Sequence, residues 1–307
     1  MKSSTFEFKD NEGYSLFTYL WEPDDNLTKK GIIQVIHGLA EHAKRYERFA
    51  KEATDKGFIV VADDHRGHGK TAKNDEELGY LGEKNGFQMM VEDEYILTKL
   101  MKEKYPSMPY FILGHSMGSF ILQRYIEEYG KELNGAILSG SAGPNPMLLY
   151  PGKFIARIAM LINGPKKKSK FLNDLSFGSY NSAFKPNRTD FDWLSRDEKE
   201  VDKYIEDKYC GFVCSTSLYY FLTKGMIEMH KKHNLNLIPK SLPIIILSGS
   251  KDPVGAKTVP NLYKIYLKLG LTDVELKIYD NARHEILNEI NREEVTRDII
   301  GWMQRHL

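Results

Sequence analysis

The sequence predicts an α/β fold: a doubly wound, mostly parallel sheet with an N-terminal hairpin and an inserted, mostly helical cap. Three observations lead there. Short apolar runs alternate with amphipathic helical runs, the rhythm of a parallel sheet crossed by helices. The apolar runs are continuous rather than alternating, as in strands buried on both faces. The rhythm stops near Ser141 and resumes near Leu242, so the two flanking stretches belong to one sheet. On this reading residues 1–140 and 242–307 form the core and residues 141–241 the cap. A chain of 307 residues is long enough for one such domain with its insertion.

The elements follow in order. Thr5–Phe8 and Tyr14–Trp21 read as strands joined by the turn Asp10-Asn11-Glu12-Gly13, since Asp, Asn and Gly favour tight reversals. Gly31–Ile36 is a short apolar strand, Tyr46–Lys56 a helix stopped by Gly57, and Phe58–Ala62 a strand. Phe87–Lys104 is a helix that ends before Pro106. Tyr110–Leu113 and Ala136–Leu138 are strands, with a helical run from Ser119 between them. Beyond the insertion come the strand Pro243–Leu247, the helix Val259–Leu269, the strand Val274–Tyr279 and the helix Glu293–Arg305.

Within the insertion, Pro151–Asn163 reads as a helix, with Pro151 at its first position and Gly164-Pro165 as its stop. Lys153 and Arg157 make one narrow polar stripe, and apolar residues cover nearly everything else. Such a helix is packed on most sides or touches an apolar ligand or lipid. Phe154 and Ile158 are therefore candidates to line an acyl pocket, and the cap is a candidate for transient contact with a membrane surface. Lys166-Lys167-Lys168 and Lys170 follow and read first as a solvated loop. Cys210 and Cys214, four apart, read as reduced side chains on one helix face. His230 and His233 lack a cysteine or carboxylate pattern that would complete a metal site.

Composition excludes some classes of function. With 43 basic and 42 acidic side chains the formal net charge is +1, which gives no long-range attraction to nucleic acid. Met1–Asp10 is polar, and no run reaches the ~18 apolar residues that a bilayer span needs. The expectation is a soluble, cytoplasmic protein.

Chemistry is concentrated at three places. Gly114-His115-Ser116-Met117-Gly118 lies between a strand and a helix, the setting of a G-x-S-x-G nucleophile elbow. The glycines relieve crowding two residues either side of the serine, and the turn lifts the Ser116 hydroxyl above the sheet. A serine needs a base, and the base an acid that fixes its tautomer. In the chain order that goes with such an elbow the acid comes next and the histidine last. Asp252 follows the strand ending at Leu247, and His284 follows the strand ending at Tyr279. Both lie beyond the carboxyl ends of parallel strands, where ligands collect. Asp280 is the competing acid, but its place four residues before His284 suits a turn. An oxyanion would be held by the backbone N–H of Met117 and by that of Leu39, in the loop His37-Gly38-Leu39-Ala40-Glu41-His42. Glu41 and Arg45, four apart on the helix that follows, are either a surface ion pair or a polar rim beside the substrate.

The segment His37–His42 with Arg45-Tyr46, the loop Asp64-His65-Arg66-Gly67-His68-Gly69 and the elbow around Ser116 together resemble monoacylglycerol lipases and related lysophospholipase-like α/β-hydrolases. The resemblance covers most of the two sheet-forming parts. It implies the α/β-hydrolase fold, a triad of Ser116, Asp252 and His284, and a pocket whose polar end is bordered by Glu41 and Arg45. It implies a serine carboxylic ester hydrolase acting on monoacylglycerols or lysophospholipids, with no metal and no cofactor. Feruloyl, aryl or short-chain carboxylesterase activity is the alternative within the family. A non-catalytic ligand receptor on the same scaffold is the alternative outside it, and the presence of all three triad candidates stands against it. Lys70-Thr71 stands where the family usually has serine or glutamine, and the insertion exceeds a compact lipase cap.

Overall fold

Asp10 opens the first turn of the computed structural model, which describes residues 1–307. Its carboxylate accepts the N–H groups of Glu12 and Tyr14 at 2.8 and 2.7 Å, and Gly13 supplies a φ of +86°. The chain folds back as the antiparallel pair β1 (Lys2–Lys9) and β2 (Ser15–Glu22). The apolar runs then form the parallel strands β3 (Gly31–Ile36), β4 (Phe58–Asp63), β5 (Tyr110–His115), β6 (Gly135–Ser139), β7 (Ile244–Gly249) and β8 (Val274–Tyr279). All eight make one sheet in the order β1-β2-β4-β3-β5-β6-β7-β8, with β2 antiparallel to β4.

Helices cover both faces, which is why the parallel strands read as unbroken apolar runs. Of the helices α1 (Glu47–Asp55), α2 (Gly86–Lys104) and α3 (Met117–Tyr129), the first lies on one face with the C-terminal helix, and the other two lie opposite. Ile33, Val35 and Phe111 pack toward α1, and Ile32, Ile36 and Ile112 toward α2 and α3, the period-2 division of a strand between two cores. The insertion between β6 and β7 contributes α4 (Pro146–Asn163), α5 (Lys170–Phe177), α6 (Glu198–Glu206), α7 (Thr216–Glu228) and α8 (Lys232–Leu235). Helix α4 packs on α7, and α7 rests on α2 and α3. Helices α9 (Val259–Lys268) and α10 (Arg292–Arg305) complete the two layers.

Several elements differ from the sequence expectation. Helix α3 starts at Met117, directly after the nucleophile turn, and not at Ser119. Helix α4 starts at Pro146, which fills its first position; Pro151 lies more than a turn inside, where it leaves the carbonyl of the exposed Met147 to water. The segment expected as one helix from Tyr46 begins as a 3₁₀ turn, Ala43–Tyr46. Cys210 and Cys214 lie in the connection between α6 and α7, not on one helix face, because the chain turns at Gly211 with a φ of +67°. Both cysteines are free and buried.

Candidate active site

The strand–turn–helix passage around Ser116 is drawn tight by its glycines. A Cβ at Gly118 would fall 2.0 Å from the Ile36 carbonyl oxygen, and one at Gly114 would fall 2.4 Å from that of Gly118. Ser116 itself has φ +51° and ψ −118°, a strained conformation for a residue with a side chain. The strain turns its hydroxyl out at the carboxyl end of β5, at the N-terminus of α3.

The structure brings the three expected side chains together. His284 Nε2 lies 2.9 Å from Ser116 Oγ, and His284 Nδ1 lies 2.9 Å from Asp252 Oδ1. Asp252 Oδ1 also accepts the N–H of Val254 at 2.9 Å, which fixes the carboxylate. Burial disfavours an imidazolium at His284, but Asp252 outweighs it and holds the imidazole above its ordinary range. Asp280 takes no part. It is exposed and accepts hydrogen bonds from Ser250 and Asn281. Gly38 lies against the nucleophile, where a Cβ would come 3.2 Å from that of Ser116. The backbone N–H groups of Leu39 and Met117 donate to no protein acceptor, and Met117 stands at the positive end of a 13-residue helix.

Two cavities meet at Ser116. One, of about 370 Å³, is the more polar of the two; Glu41, Asp174, Asp190 and Glu285 line it with one lysine, Lys170, beside His115, His284 and aromatic side chains such as Phe191 and Trp193. Lys170 is already paired with Asp174 at 2.6 Å. The other, of about 200 Å³, is apolar and is walled by Met117, Leu149, Ala156, Leu172, Leu222 and Met226. The arrangement can present an ester carbonyl to Ser116 with an apolar group on one side and a hydroxylated group on the other.

A family model described as "Serine aminopeptidase, S33" matches residues 28–291. The chain belongs to the S33 family of α/β-hydrolases. It is 27% identical over 312 residues to a monoacylglycerol lipase of Mycolicibacterium smegmatis, covering 99% of this chain and 98% of the relative. It is 28% identical over 295 residues to the monoglyceride lipase of Homo sapiens, covering 94% and 85%. Among solved structures, a thermostable carboxyl esterase from Bacillus coagulans in complex with glycerol superposes with a TM-score of 0.89 at 30% identity, covering 99% of this chain and 98% of that one. This S33 chain is thus a serine hydrolase of the lipase and esterase clan.

The Glu41–Arg45 pair of this S33 hydrolase is not a surface feature. The two side chains are 3% and 11% exposed, and Arg45 sits on the 3₁₀ turn. Arg45 does not line the polar cavity as expected. It lies behind Glu41 and Glu285 and binds both, with a fork of 2.8 and 2.7 Å to Glu285. Burial alone would raise the Glu285 carboxyl, but Arg45 outweighs it and holds it well below the usual carboxylate range. One guanidinium thus holds two carboxylates, Glu41 and Glu285, at the polar end. Sequence reasoning missed Glu285. Its only signal was a carboxylate directly after the expected base.

The cap braces both catalytic loops. The Tyr204 hydroxyl and the Gly211 N–H donate to the Ala40 carbonyl, beside Leu39, at 2.9 and 3.0 Å. The carbonyls of Trp193 and Leu194 accept the N–H groups of His284 and Glu285 at 3.4 and 2.7 Å. Phe154 and Ile158 were expected in an acyl pocket and are not there. They are 64% and 40% exposed, because Leu149, Gly152 and Ala156 form the inward face of α4. The potential metal-ligand groups His42–Asp207–Cys210 and Asp63–His65–Glu94 contain no triad residue. In the first, burial pushes the Cys210 thiol up and keeps it protonated. His230 and His233 belong to neither; His230 Nδ1 is bonded to the Met226 carbonyl at 3.0 Å.

Proposed function

We propose that the protein hydrolyses monoacylglycerols through an acyl-enzyme on Ser116. Ser116 Oγ attacks the ester carbonyl as its proton passes to His284 Nε2. Asp252 keeps the His284 proton on Nδ1 and stabilises the imidazolium. The N–H groups of Leu39 and Met117 receive the oxyanion. Collapse expels the alcohol, which takes the proton from His284. Water, deprotonated by the same histidine, then releases the fatty acid and restores Ser116.

One observation carries the reading: the unbroken Asp252–His284–Ser116 chain of hydrogen bonds stands where an apolar and an acidic cavity meet. The apolar cavity suits an acyl chain. The acidic one suits hydroxyl donors such as those of glycerol and opposes a phosphate, which would be desolvated beside Glu41 and Glu285. That favours a monoacylglycerol over a lysophospholipid. The similarity to a carboxyl esterase holding glycerol supports the same choice. The free Cys210 and Cys214 suit the proposed cytoplasmic location.

Release of oleate from 1-oleoylglycerol and 1-oleoylglycerol-3-phosphate, and of ferulate from a feruloyl ester, tests the assignment. The glycerol ester should exceed the phosphate ester by at least about tenfold in kcat/KM, a difference of ~1.4 kcal/mol. Preference for the phosphate ester would remove the argument from the acidic cavity. Preference for the feruloyl ester would transfer the protein to the aryl esterases.

A further inference from the structure

We propose that His37 is a positioning residue that aims the Leu39 N–H at the oxyanion, through a tautomer dictated by the backbone of His65. The inference rests on the ester-hydrolase reading above and adds a group outside the triad to it.

The geometry is that of two loops leaving neighbouring parallel strands. β3 ends at Ile36 and β4 at Asp63, so His37 and His65 emerge side by side. Their rings stack with centroids 3.8 Å apart and planes 20° from parallel, and both are buried. The His65 backbone N–H faces His37 Nε2 at 3.1 Å. A backbone N–H can only donate, so His37 Nε2 is bare and its proton is on Nδ1. His37 Nδ1 lies 2.8 Å from the Gly38 carbonyl oxygen, which can only accept. Both contacts are satisfied by the Nδ1–H tautomer and both are broken by the other.

The consequence reaches the nucleophile through one peptide plane. The Gly38 carbonyl and the Leu39 N–H belong to the same planar, trans unit and point in opposite directions. Holding the carbonyl on His37 therefore directs the N–H the other way. Residue 38 is held at its other end too, since its N–H donates to Glu41 Oε1. His65 is fixed in turn: its Nε2 lies 3.2 Å from the His37 carbonyl, and its Nδ1 lies 3.3 Å from Asp63 Oδ2 and 3.2 Å from Glu94 Oε1. Burial and the neighbouring His65 lower His37 well below the ordinary histidine range. At His65, burial opposes the charge, but Asp63 and Glu94 outweigh it.

Nitrogen-15 NMR of the wild-type histidines tests the tautomer without any variant: His37 should show a protonated Nδ1 and a bare Nε2. The variants His37→Asn and His37→Leu are similar in size and both lose the stack, but only asparagine keeps a donor near the Nδ1 position. His37→Leu should lower kcat for an ester by about 10²-fold, the loss typical of one oxyanion donor. It should weaken a boronic acid that bonds to Ser116 in parallel, while affinity for the product fatty acid stays within about twofold. His37→Asn should recover at least about tenfold of the loss. An Nε2–H tautomer would overturn the proposal, even if His37→Leu failed to fold. So would wild-type kcat in a folded His37→Leu, or equal losses in the two variants. A wild type inactive on every ester would instead remove the hydrolase reading and leave the tautomer result standing.

Discussion

His284 can take the proton of Ser116 only when it is neutral. Because Asp252 holds it above the ordinary imidazole range against the opposing effect of burial, the enzyme loses its base as pH falls through that raised value. kcat/KM should therefore rise with pH along an acid limb whose apparent pKa exceeds ~6.5. Asp252→Asn removes the charge that favours the imidazolium. It should lower the rate by about 10⁴ and move the acid limb to lower pH, which a pH profile of p-nitrophenyl ester hydrolysis reads directly. A limb unmoved in Asp252→Asn would assign the titration to another group. At this scale Ser116 and His284 were legible because each is fixed by local chain geometry, one by glycines and one by the end of a strand. The Arg45–Glu285 fork was not, since it joins residues 240 apart and nothing in the local sequence of either calls for the other.

Helix α4 shows what hydropathy cannot decide. Nearly every position from Phe154 to Ile162 is apolar, so the period carries no information about which face is covered. The small residues carry it instead. Gly152 and Ala156, four apart, allow close approach to α7, and the large side chains Phe154, Leu161 and Ile162 are left outside. Ala156→Phe should fill the apolar cavity. Release of oleate should fall by about tenfold or more while acetate esters stay near wild type, with overpacking costing about 1–3 kcal/mol of stability. Ile158→Asp, on the outward side, should leave both activities within about twofold because its charge stays hydrated. A chain-length series of p-nitrophenyl esters measures both variants. If Ile158→Asp were the one that impaired long chains selectively, the inward face would be misassigned.

Over the whole molecule, the sheet order places β3 beside β5 and β4 on the far side of β3, so the chain reverses direction there. Such a switch point opens a crevice at the carboxyl ends of the strands, and the oxyanion loop and the elbow face each other across it. The doubly wound sheet was readable from the alternation of runs, whereas the order of its strands and the path of residues 141–241 were not, because both are set by long-range contacts, those of the insertion being with α2, α3 and the two catalytic loops. The outer face of the cap exposes Met147, Phe154, Leu161, Ile162 and Phe171, close in sequence to Lys166 and Lys167. We propose that these exposed apolar side chains, with the lysines beside them, rest on a lipid surface. Flotation with anionic phospholipid vesicles should recover the protein, and Leu161→Asp with Ile162→Asp should reduce its partition by about tenfold, or ~1.4 kcal/mol. Equal recovery of both proteins would assign the binding elsewhere.

The central claim, that Ser116 forms the acyl-enzyme of an ester hydrolase, is tested most directly by release of oleate from 1-oleoylglycerol by the wild type and by Ser116→Ala. The wild type should turn over with saturable kinetics, and the variant, still folded, should fall by about 10⁴–10⁶ in kcat. A folded Ser116→Ala retaining more than about a tenth of the wild-type rate, far above the residue left when a nucleophile is removed, would contradict the assignment.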